Sequence, residues 1–140
     1  MKIALVSCTK LKASHSCNAR MMYQPSTLFK KAVHFIEQNN YKEWFILSGK
    51  HGLLKQHDVI EPYDVTLNHM KASERKTWAQ SVLKQLASLD LNITQIDFYA
   101  GVTYREYLTR DLEQKGIKCN IPLKGKGIGE QLQYFSYHTK

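Results

Sequence analysis

Trp44-Phe45-Ile46-Leu47-Ser48-Gly49-Lys50-His51-Gly52 opens as an unbroken apolar run and ends in a turn bracketed by two glycines. Four consecutive large apolar residues suit a strand buried on both faces, as in parallel sheets. Ile3-Ala4-Leu5-Val6 has the same character, and Ile96-Asp97-Phe98-Tyr99-Ala100, with Gly101 at its end, reads as a third strand. Ile117 to Ile121 completes the set, stopped by Pro122, which has no amide proton to give to a ladder. Helical spacing fills the intervals. Pro25 suits a first turn, and Leu28, Ala32, Phe35 and Ile36 carry that helix to about Asn39. Ser73 is the expected cap of a second helix marked by Trp78, Val82, Leu86 and Leu89. Tyr104, Leu108 and Leu112 mark a third that stops at Gly116, and Leu132 and Phe135 a short last one. Two long connections remain, Ser7 to about Tyr23 and Gly52 to about Met70.

Strands alternating with helices predict an α/β fold: a three-layer sandwich around a mainly parallel four-stranded sheet, as a single domain over residues 1–140. The parallel strands would then send all their following loops to one edge of the sheet, where open α/β sheets bind ligands.

Composition narrows the class of protein. At 140 residues with 43% apolar side chains, the chain can bury one core and is not a disordered tail. The first apolar run is too short for a signal-peptide core, and no stretch reaches a membrane span, so a cytoplasmic protein without a membrane partner is expected. Cys8, Cys17 and Cys119 cannot all pair, which fits reduced thiols. Cys8, His15 and Cys17 follow no zinc or iron–sulfur spacing, so neither metal nor cofactor is expected. A formal charge of +8 and a pI near 9.4 attract polyanions, nucleic acid first. A solvated basic surface is the plain alternative.

The strand-end loops hold the candidate residues. Ser7, Cys8, Thr9 and Lys10 follow the first strand, where small polar groups and a cation can approach an anion; Cys8 reads as a small buried thiol before it reads as a nucleophile. In Ser48-Gly49-Lys50-His51-Gly52, glycines allow a sharp turn, Lys50 supplies charge and His51 can move a proton near neutral pH. Pro62 stiffens the segment that presents Tyr63 and Asp64, a carboxylate able to orient water or to balance positive charge. Arg105 stands near a helix start, where a phosphate is favoured, while Tyr104 also suits the core. Arg20 is another phosphate contact or a solvated side chain. Lys124 and Lys126 alternate with Gly125, Gly127 and Gly129 in a loop that matches neither a Walker loop nor a dinucleotide fingerprint but can bind anions.

Val6-Ser7-Cys8-Thr9-Lys10, Phe45 to Leu54, Pro62-Tyr63-Asp64 and Ile128-Gly129-Glu130-Gln131-Leu132 together resemble a largely uncharacterised bacterial and phage domain family. Its hallmark is Ser-x-Lys-His-Gly-Leu-Leu followed by Pro-Tyr-Asp. That family is distantly similar to the peroxide-stress protein YaaA, which binds DNA, and to uracil-DNA-glycosylase-like domains. The resemblance implies a parallel-sheet, glycosylase-like fold and work on nucleic acid or its bases. Cys8-Thr9-Lys10 replaces the glycosylases' water-activating loop, and Pro122-Leu123-Lys124-Gly125 replaces their His-Pro-Ser segment, which argues against classical uracil excision.

The resulting expectation is a nucleic-acid-binding protein, DNA before RNA, that handles or hydrolyses an N-glycosidic bond. Asp64 would stabilise the sugar or position water, and His51 with Lys50 would stabilise the leaving base. Lys10, Arg105, Lys124 and Lys126 would hold phosphates. Ser7, Cys8, Thr9, Arg20, Ser48, Gly49, Gly52, Tyr63 and Tyr104 would complete the binding surface. Rival readings are a non-catalytic DNA or RNA binder and an enzyme of free nucleotides or nucleosides.

Overall fold

The computed structural model describes all residues from Met1 to Lys140. Its main sheet has five strands. β1 (Lys2–Ser7) lies at the centre between β3 (Glu43–Ser48) and β6 (Gln95–Tyr99), parallel to both. β7 (Lys118–Asn120) adds in parallel beyond β6, and β4 (Gly52–Leu54) folds back antiparallel on β3. The sheet is therefore mainly parallel, with one strand more than the apolar runs announce.

Side-chain alternation divides the core into two halves. Ala4, Val6, Trp44 and Ile46 point to one layer, built by α2 (Thr27–Gln38) and α5 (Ile128–His138). Ile3, Leu5, Phe45 and Leu47 point to the other, built by α3 (Ala72–Ser88) and α4 (Val102–Gln114). Strands buried on both faces need apolar residues in both registers, which is why these runs show no polar alternation. Asp97 breaks the rule: it is buried in β6 yet satisfied by Tyr41 Oη at 2.6 Å, Gln95 Nε2 at 3.0 Å and Asn120 Nδ2 at 3.1 Å.

Several local expectations are corrected. Pro25 precedes the helix: Ser26 is the N-cap of α2, its Oγ accepting from Phe29 N at 3.2 Å. Ser73 lies within the first turn of α3, and Lys71 is the N-cap, with its amide donating to Glu74 Oε1 at 3.1 Å. Gly129 belongs to α5, whose N-cap is Gly127. Neither long connection is structureless. β2 (Cys17–Asn18) pairs antiparallel with β5 (Val59–Ile60), a short α1 (Ala19–Met22) follows β2, and a 3-10 turn spans Leu67–His69. Asn18 caps α1 through a 2.9 Å bond from Met21 N.

Candidate functional site

Chain connectivity creates a crevice between β1 and β6. From β1 the chain crosses through α2 to β3, and from β6 through α4 to β7, so the neighbouring strands diverge to opposite layers and opposite directions. Beyond the carboxyl ends of two such strands the flanking loops part, which is where open α/β sheets hold ligands. A cavity of about 390 Å³ occupies this position. Phe29, Ala32, Phe98, Tyr99 and Phe135 form much of its apolar wall. Ser7 reaches it from the end of β1 and Thr9 from the loop that follows, Arg105 from α4, and Lys124, Lys126 and Gln131 from the segment around the start of α5. No carboxylate lines it.

The cationic side of this cavity is built locally. Arg105 Nε donates to Ala100 O at 3.2 Å, which holds the guanidinium beside the end of β6 and leaves its terminal nitrogens without a protein partner. The N-cap of α4 is Gly101, which offers no side chain to its own first turn, so the amide end of the helix stays open to an anion. Gly125 adopts φ of 82°, a left-handed turn between two lysines. Backbone bonds from Lys124 N to Ile121 O at 3.1 Å and from Lys126 N to Leu123 O at 3.0 Å hold that segment in place.

The glycine-bracketed turn has a different character. It is the hairpin between β3 and β4, and it is strapped from several sides. Ser48 is fully buried; its Oγ bonds Tyr63 Oη at 2.7 Å and accepts from His51 N at 3.1 Å, while its carbonyl accepts from Trp78 Nε1 at 2.8 Å. Tyr63 Oη also bonds Tyr23 Oη. Gln85 reaches in from α3, accepting from Leu53 N at 2.9 Å and donating to His51 O at 3.2 Å. Gly49 is required because a Cβ would stand 2.8 Å from the Val65 carbonyl.

His51 meets the Tyr63 ring edge-on, with centroids 5.4 Å apart. Its Nε2 is buried without a hydrogen-bond partner. Burial first, and Lys50 second, pull its pKa below the ordinary imidazole value, so the ring is neutral at pH 7. Burial likewise pushes the Tyr63 hydroxyl well up, with Cys8 adding to the effect. A strapped turn of this kind fixes the backbone around His51 and leaves its Nε2 without a partner in the protein.

The model of a family of unknown function, DUF6884, matches residues 3–137. The chain belongs to that family. No curated protein and no solved structure matches it. The DUF6884 span runs from β1 into α5 and so contains both the crevice and the strapped turn.

Within this DUF6884 chain, the residues expected to form one site separate into two groups. The crevice gathers Ser7, Thr9, Arg105, Lys124 and Lys126. Ser48, Gly49, Lys50, His51, Gly52, Tyr63 and Asp64 are not among its lining residues. Lys50 and Asp64 are exposed, and Asp64 makes no hydrogen bond or ion pair within the protein. Cys8 is not among the crevice residues: its amide donates to Leu47 O at 2.9 Å, and its Sγ lies 3.5 Å from Tyr104 Oη. Tyr104 is core, packed edge-on against Trp78, its hydroxyl pushed up to about 12 by burial and then by Cys8. Arg20 is engaged elsewhere, in a two-pronged pair with Glu37 at 2.7 and 2.9 Å. Lys10 is exposed, and Lys12 sits 4.7 Å from the Tyr63 ring centroid. Sequence reasoning missed Tyr23, Trp78 and Gln85 as straps, because nothing local announces a contact across more than twenty residues. It also missed Val102, Ile128 and Gln131 as lining residues. For Val102 and Ile128 the signal was position, each following a glycine at a helix start. No helix is long and apolar enough to cross a membrane, and no three His, Cys, Asp or Glu side chains come together in metal-binding array.

Proposed function

We propose that this DUF6884 protein binds nucleic acid, DNA before RNA, and seats one nucleotide unit in the crevice between β1 and β6. The carrying observation is the cavity itself, which joins an apolar wall to a rim of Arg105, Lys124 and Lys126 beside the open amino end of α4. Such a wall accepts a base or sugar, and such a rim accepts a phosphate. A net charge of +8 supports a polyanionic partner by raising its encounter rate. The motif resemblance to YaaA and to uracil-DNA-glycosylase-like domains supports the same partner and, as part of the proposal, kinship of fold.

Binding without bond cleavage is the better supported half of the expectation. Cleaving an N-glycosidic bond calls for a carboxylate near the sugar or a poised water. The crevice supplies neither Asp nor Glu, while Asp64 lies exposed and His51 is held neutral in the strapped turn. A free mononucleotide is the second reading, favoured by a cavity of about 390 Å³, at the small end for ligand pockets.

Fluorescence anisotropy of a labelled single-stranded oligonucleotide, titrated at several salt concentrations, tests the proposal. Affinity should fall steeply with salt. Arg105→Ala and Lys126→Ala should each weaken binding and flatten the salt dependence by about one unit of log–log slope. Wild-type affinity and slope in both variants would remove the crevice as the phosphate site. Mononucleotides that raise Tm while oligonucleotides fail to bind would select the second reading.

A further inference from the structure

Two exposed β-branched residues stand in the crevice with no partner to explain them. Val102 is 54% exposed and Ile128 is 66% exposed, yet both line the cavity. Each is the first residue of its helix, α4 and α5, a position where a polar side chain would serve the helix as well or better. The two helices belong to opposite layers of the sandwich. Their first residues therefore flank the crevice from the two sides of the sheet, while Arg105 and Lys126 supply cations on the same rim. Large apolar side chains beside a cavity and a cationic rim offer a ligand apolar area to cover, and covering it is favourable.

We propose that Val102 and Ile128 act as apolar jaws that close on the two faces of an unpaired nucleobase, making single-stranded nucleic acid the preferred ligand of the crevice. The inference rests on the nucleic-acid reading above and adds its strand state and its base contacts. A base is flat, apolar on both faces and tied to a phosphate, which matches jaws set beside cations. In a duplex, neighbouring base pairs cover those faces, so only an unpaired base offers both to the jaws. Contact with ring faces tolerates any base, so the jaws select for the presence of a base more than for its identity.

The test compares pentathymidylate with a pentamer of the same sugar–phosphate backbone that carries abasic residues throughout. Wild-type protein should prefer the base-bearing strand by about tenfold, the scale that apolar contact with two branched side chains supplies. The Val102→Ser, Ile128→Ser double variant should bring that preference to within about twofold, with affinity for the abasic strand and its salt dependence unchanged. Both residues are exposed, so the substitutions leave the fold intact, and Ile128→Thr alone, which keeps the branched shape, provides a milder step in the same direction. Equal wild-type affinity for the two strands, or a double variant that keeps the preference, overturns the jaws while leaving the phosphate site standing. Failure of both strands to bind at low salt overturns the nucleic-acid reading, and the jaws with it.

Discussion

At Gly52 the backbone turns left-handed, with φ of 73°, and a Cβ there would come 2.4 Å from Gln85 Oε1. An alanine must therefore accept the left-handed conformation and displace the side chain that fastens β4 to α3. Gly52→Ala should cost about 1–2 kcal/mol from the backbone alone, read as a lower urea midpoint with unchanged slope. Unchanged stability would mean that the turn is not strapped as described. His51, one residue earlier, sets a pH dependence. Its folded pKa lies below the ordinary value of 6.5, so an unfolded chain takes up a proton that the folded chain refuses. The stability lost in this way is nil above about pH 6.5, grows as pH falls below it, and stops growing below the folded pKa. Tm should therefore drop between pH 7.5 and 5 in wild type and drop less in His51→Gln; an equal drop in both proteins would contradict this account.

Elements differ in how far their residues announce them. Of the four parallel strands, β1 and β3 were legible because burial on both faces demands unbroken apolar runs, as in Ile3 to Val6 and Trp44 to Leu47. By contrast, β6 carries Asp97, and β7 is Lys118-Cys119-Asn120, legible only by the punctuation of Gly116 and Pro122 around it. The helices were legible in their interiors, where Leu108 and Leu112 repeat at helical spacing, but not at every start. Pro25 and Ser73 both have first-turn chemistry, and only the fold decides that Ser26 and Lys71 hold the cap positions. β4, β2 and β5 contain three, two and two residues, too few for any period to show, so they depend on partners distant in sequence. Asp97 shows how such partners work: Tyr41 from the connection after α2, Gln95 from its own strand and Asn120 from β7 all donate to its carboxylate. Asp97→Ala would leave these donors without an acceptor in the sheet and should cost about 1–3 kcal/mol in chemical denaturation. A neutral result would mean that water satisfies them equally well.

Across the whole molecule, parallel strands bring the loops after β1, β3, β6 and β7 to one edge, as the alternation of elements implies. What the sequence could not reveal is strand order. Chain order places the Ser48–Gly52 turn second among the loops, but space puts β3 beyond β1, away from the β1–β6 divergence. The turn most conspicuous in the sequence meets clear structural demands: buried Ser48, the close approach of Gly49 to Val65 and the positive φ of Gly52. The crevice is built from less conspicuous residues, with Arg105, Lys124 and Lys126 drawn from loops far apart in the chain. The central claim is that ligand enters this crevice and not the strapped turn. Amide chemical-shift mapping during titration with pentathymidylate tests it most directly. The account predicts the largest shifts at Gly101 to Thr103 and Lys124 to Ile128, with the Ser48 to Gly52 amides nearly still. Shifts concentrated at Ser48 to Gly52, with the crevice amides unmoved, would contradict it.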